Sequence, residues 1–87
     1  MRQLDRETVL AAIGEFVAEH FPDAAGSGEI ERLTASQVIH QSLELVEFVL
    51  HLEDRLGIEI NINNLGEALI TSTFGQLADR IVAIGNG

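Results

Sequence analysis

Between Ser42 and Leu56 the apolar residues Leu45, Val46, Phe48, Val49, Leu52 and Leu56 recur three and four positions apart. That spacing restricts the fold more than any other feature of the chain, because such a row can be buried together only along one side of an α-helix. Glu44, Glu47, His51, Glu53, Asp54 and Arg55 fill the gaps, so the opposite side is polar and mostly anionic. Ser42 can cap the helix with its hydroxyl, Glu44 sits in the positively polarised first turn, and Gly57 suits the left-handed residue that ends many helices. These signals predict a helix from Ser42 to Leu56.

Two other segments share the period. Asp5 is a good N-cap, with Leu4 and Val9 placed as a hydrophobic staple. Val9, Leu10, Ile13, Phe16, Val17 and Phe21 form an apolar stripe that Pro22 ends, and Glu7, Glu15 and Glu19 make the outer face. Near the C-terminus Thr73 is placed to cap a helix with Phe74, Leu77, Ile81 and Ile84 on one face, and Gly85-Asn86-Gly87 reads as a frayed end. From Pro22 to Gln41 the chain reads as a long irregular connection, with a flexible patch at Ala24-Ala25-Gly26-Ser27-Gly28 and a single turn of helix near Thr34 to Val38.

Ile58, Ile60 and Ile62 alternate with Glu59, Asn61 and Asn63, a strand-like period. In a chain with no second strand, the expectation is an extended connector that delivers isoleucines to the core. Asn63 or Asn64 then caps a short helix through Leu65, Ala68 and Leu69, weakened by Gly66. The fold class is therefore all-α.

At 87 residues the chain is one domain, burying roughly 60 to 65% of its unfolded surface. That suffices for a small core and not for a deep pocket, so no enzyme is expected. Fourteen acidic residues against five basic ones, none of them lysine, give a formal charge of −9. Such a surface repels nucleic acid and anionic membranes and favours basic partners. The absence of cysteine excludes disulfides and thiolate metal sites and suits a reducing cytoplasm. No apolar run is long enough to span a bilayer, and the N-terminus lacks the plan of a signal peptide.

The run Ser42-Leu43-Glu44-Leu45-Val46-Glu47-Phe48-Val49-Leu50-His51-Leu52-Glu53-Asp54-Arg55-Leu56-Gly57-Ile58-Glu59-Ile60 resembles the acyl carrier protein family almost position for position. Thr73-Phe74-Gly75-Gln76-Leu77 is similar to the start of the family's last helix, and the resemblance extends over nearly the whole chain. It implies one carrier-protein-like domain over residues 1–87, a small four-helix bundle with three longer helices, a short third helix and a long first loop. It also implies 4'-phosphopantetheine, taken from coenzyme A and attached to Ser42 by a phosphopantetheinyl transferase. The arm's thiol would carry acyl or aminoacyl groups, as in fatty acid biosynthesis and related lipid metabolism.

Docking of acyl-loading and acyl-processing enzymes with basic patches is implied at Leu43, Glu44, Glu47, Leu50, Glu53 and Asp54, on a monomeric carrier. Two departures stand against the family pattern. Ile39-His40-Gln41-Ser42-Leu43 replaces Gly-x-Asp-Ser-Leu, and Asn61 to Ser72 is a few residues longer than usual. The neutral Gln41 is a poor ligand for the hard cation that the family's aspartate helps to engage. It marks the alternative, an unmodified helical interaction module that has lost the prosthetic group.

The histidines support no competing chemistry. His51 follows Glu47 by one turn, half of a metal pair with no third ligand, and is expected as a surface pair. His20 suits the negative pole of the first helix. His40, two residues before Ser42, lacks the third group and oxyanion donors that a serine hydrolase needs.

Overall fold

The structure, a computed structural model, describes residues 4–26 and 30–86, excepting the side chains of Ala25, Ile62, Asn64 and Asn86. Its three long elements are α1 (Arg6–His20), α4 (Ser42–Leu56) and α7 (Phe74–Asn86). Between α1 and α4 lie α2 (Pro22–Ala25), a 3-10 turn at Ile30–Arg32 and α3 (Ala35–Val38); between α4 and α7 lie α5 (Ile62–Leu65) and α6 (Ala68–Thr71). No strand occurs among the described residues, and Thr34 and Thr73 form one isolated antiparallel bridge. The all-α expectation holds.

α1 begins as its sequence dictates. Asp5 is extended, and its Oδ1 accepts the Thr8 N–H at 2.7 Å. Hydrogen bonds from the Thr8 backbone and then from its side chain hold the Asp5 carboxyl below its ordinary value. A carboxyl so lowered contributes stability that is complete above the unfolded-state value and is lost as pH falls through the lower folded-state value. Acid melts of the wild type and of Asp5→Ala are therefore expected to differ most near neutrality and to converge below about pH 4. Curves separated equally at all pH values would contradict this account of the cap.

Several local expectations are corrected. The turn expected near Thr34 to Val38 is present as α3, but the rest of the stretch from Pro22 to Gln41 also contains short helical pieces rather than irregular loop alone, because Ala24, Ile30, Leu33, Ala35, Val38 and Ile39 all reach the core. Ala24 and Ala25 belong to α2, whereas Ser27 and Gly28 of the expected flexible patch lie outside the described residues. The single short helix before α7 is two turns, split where Gly66 takes φ +55°. At the start of α5 the Asn61 Oδ1 accepts the Asn63 N–H at 2.9 Å, and the side chain of Asn64, the other expected cap, lies outside the described residues. α7 runs on to Asn86 rather than fraying at Gly85, whose missing Cβ leaves room for Leu4. Gly87 is outside the described residues.

The connector after Gly57 is extended as expected. Ile60 is buried and Ile58 half-buried, while the Ile62 side chain is not described. Two Thr-x-x-Gln sequences start α3 and α7 in the same way. The Thr34 N–H donates to Gln37 Oε1 at 2.9 Å and the Thr73 N–H donates to Gln76 Oε1 at 3.0 Å, the reciprocal capping arrangement of such sequences. The Phe74 N–H donates to the Leu33 carbonyl at 2.7 Å, so the two helix starts are tied together. Gly75 permits this approach, since a Cβ there would stand 3.1 Å from the Glu31 carbonyl oxygen.

The core is centred on one phenylalanine from each long helix. Phe16 meets Phe48 edge-on at 5.2 Å, and Phe48 meets Phe74 at 5.7 Å, all three being at most 2% exposed. α1 packs along both α4 and α7. The Cα radius of gyration, 11.8 Å, matches the value of about 12 Å for a compact chain of this length. Exposed ion pairs join elements at the rim: Arg6 reaches Glu31 at 3.2 Å and Asp79 at 2.9 Å, and Arg55 reaches Glu15 at 2.6 Å. Among the described residues no helix is long and apolar enough to cross a membrane.

Candidate functional site

The entry to α4 differs from its sequence reading by one residue, and the difference changes what Ser42 is free to do. Gln41, with φ −120° and ψ 139°, is the N-cap and makes no side-chain capping bond. Buried Ile39 anchors the approaching chain and α4 opens from Gln41, whose carbonyl accepts the Leu45 N–H at 3.2 Å. Ser42 is therefore the first helical residue rather than the cap. It is exposed, and its hydroxyl has no partner among the described residues.

The docking candidates divide by direction. With each residue turned by about 100° on a helix, Leu43, Glu47, Leu50 and Asp54 lie within about 40° of one line. All four are exposed, Leu43 at 67% and Leu50 at 56%. Glu44 and Glu53 fall to the flanks and are half-buried. Glu53 is engaged internally, its Oε2 accepting the Ile60 N–H at 2.8 Å. That bond ties the extended connector to α4 across the turn at Gly57.

Val46, expected in the buried stripe, is 42% exposed and joins Leu43 and Leu50 on the outer face. The stripe read from the sequence was wider than the surface that α1 and α7 cover, and Val46 lay at its edge. Ile70 on α6 is also exposed, at 46%. These four residues make up the large exposed apolar side chains among the described residues. No sequence signal marks Ile70, because α6 is too short to establish a period.

A shallow groove of about 200 Å³ runs beside Ser42. Ala35, Ser36 and Ile39 from α3 and the chain after it, Ser42 and Leu45 of α4, and Ile70 of α6 line it together with His40 and Gln41. The other histidines take up structural positions. His51 does not pair at the surface with Glu47; half-buried, its Nε2 lies 3.2 Å from the Ala12 carbonyl, which can only accept, so this nitrogen donates and joins α4 to α1. His20 stacks on Phe16 at 4.3 Å in the last turn of α1.

Comparison with family models, with curated proteins and with solved structures gave no match.

Proposed function

We propose that this chain is an acyl carrier protein, holding acyl or aminoacyl groups as thioesters on a 4'-phosphopantetheine arm attached to Ser42. The observation that carries the reading is an exposed primary hydroxyl, without a hydrogen-bond partner among the described residues, at the first residue of α4 and next to an apolar line edged by carboxylates. The fold fits the carrier plan if α1, α4 and α7 are its three longer helices and α5 with α6 stands for its short third helix, divided at Gly66.

The residues present fit the arm. In loading, the Ser42 oxygen forms a phosphoester bond to the pantetheine-bearing phosphorus of coenzyme A, the pyrophosphate bond breaks, the nucleotide half leaves, and the transferase takes the hydroxyl proton. The arm supplies a flexible thiol on which acyl groups are activated for transfer and held at high local concentration. Leu43, Val46 and Leu50 provide a small apolar contact, and Glu47 and Asp54 provide charge for basic patches on partner enzymes. The carrier positions its cargo and performs no catalysis.

Intact mass before and after incubation with coenzyme A and a broad-specificity phosphopantetheinyl transferase tests this. The wild type is expected to gain one phosphopantetheine and Ser42→Ala none. Gln41→Asp is expected to quicken loading, because it restores a carboxylate beside the serine where the transferase and its divalent ion engage. One specific observation favours a second reading: Gln41 makes neither a capping bond nor a carboxylate. A wild type that gains no mass, even with transferases from its own source, establishes the unmodified interaction module instead.

A further inference from the structure

We propose that His40 is the counter-charge for the phosphate on Ser42 and positions the arm at its root; this rests on the carrier reading above. The chain carries 14 acidic residues, and a phosphodiester adds one more negative charge to a molecule already at −9. Placement of that charge is therefore set by where carboxylates are absent. The groove beside Ser42 meets this condition: among the described residues its lining holds no carboxylate, and His40 is its one basic group.

His40 and Gln41 are exposed, and their side chains have no partner among the described residues. The imidazole is free to turn toward Ser42. A protonated ring then donates a charge-assisted hydrogen bond to a phosphate oxygen, the stronger kind of hydrogen bond. Gln41 offers an amide N–H from the same edge.

The surroundings of His40 are specific. It also lines a second groove with His20, at the end of α1, and Asp23, on α2. α3 and α6 present no titratable group in the described helices, and on α4 the nearest is Glu44, half-buried. Asp23 is thus the one carboxylate in either groove that competes for the ring. An unloaded Ser42 leaves His40 exposed, with Asp23 in the lining of that second groove; a loaded one gives it an anion two residues along the chain.

The test uses the full chain, loaded and unloaded, followed by NMR from pH 5 to 8. On loading, the midpoint of the His40 ring-proton titration is expected to rise by about half a pH unit, the size that unit charges about 6 Å apart produce in water. His20 and His51 serve as references in the same spectra and are expected to move less. The phosphorus resonance of the loaded arm should follow the same midpoint in the wild type and lie flat across this range in His40→Gln, which removes an exposed side chain and leaves the fold intact. If Ser42 loads but His40 moves no more than the two reference histidines, the inference is overturned and the carrier reading stands. If Ser42 does not load, both fall.

Discussion

Replacement of Phe48 by alanine is expected to lower stability by about 3–5 kcal/mol, the range for removing a buried aromatic ring. Phe48 is fully buried on α4 and stands between Phe16 of α1 and Phe74 of α7, at 5.2 Å and 5.7 Å. Its removal takes away apolar burial and leaves a cavity at the one place where all three long helices meet through aromatic rings. The neighbours cannot easily collapse into it, because each is fixed by its own helix. A domain of this length has a total stability of only about 4–13 kcal/mol.

The variant is therefore expected to be partly or wholly unfolded at room temperature. If it still folds, it should melt at least about 12 °C lower, at about 4–8 °C per kcal/mol for a domain of this size. Leu43→Ala, five residues away on the opposite, exposed side of α4, is expected to change stability by no more than about 0.5 kcal/mol. Chemical denaturation of the two variants beside the wild type decides the matter. Similar losses in both would show that the core is not centred where the aromatic contacts put it.

Glu53→Ala is expected to cost about 1–3 kcal/mol, although the residue lies in a chain overloaded with carboxylates. On surface electrostatics alone its removal should help, since Asp54 and Glu59 are close in sequence and like charges repel. The hydrogen bond to the Ile60 N–H reverses that expectation. Without it, a backbone donor beside the buried Ile60 side chain loses its partner, and an unsatisfied donor costs more than an average hydrogen bond contributes. Glu53→Gln keeps an acceptor oxygen at the same reach and should recover most of the loss. Amide exchange at Ile60 should quicken in the alanine variant and stay close to wild type in the glutamine one. Equal melting of the alanine variant and the wild type would remove Glu53 from this structural role and return it to the docking surface.

The two long helices α1 and α4 and most of α7 were legible because each carries its own period and its own start signal. Asp5 and Thr73 cap as their positions indicate, and Gly57 closes α4 in the left-handed conformation, with φ +66°. The short pieces were less legible for a physical reason. Four residues make barely one turn, so α2, α3, α5 and α6 have no period to read and persist only because core contacts hold them. The turn expected near Thr34 to Val38 is α3, and what marks it is its Thr-x-x-Gln start, the same letters that open α7.

At the candidate site, what sequence determined was the supply of side chains: a serine at the head of an acidic amphipathic helix, with leucines spaced to share its outer face. Tertiary structure decided which of these remain available. Val46 is outside because α1 and α7 cover only part of the apolar stripe, Glu53 is engaged because the connector returns past it, and His40 reaches the groove of Ser42 because buried Ile39 holds the chain beside α4. Helical periodicity is a property of consecutive residues and can be read along the chain. Exposure, by contrast, depends on how much of each face a distant segment covers, and for these residues that was decided only when the helices packed.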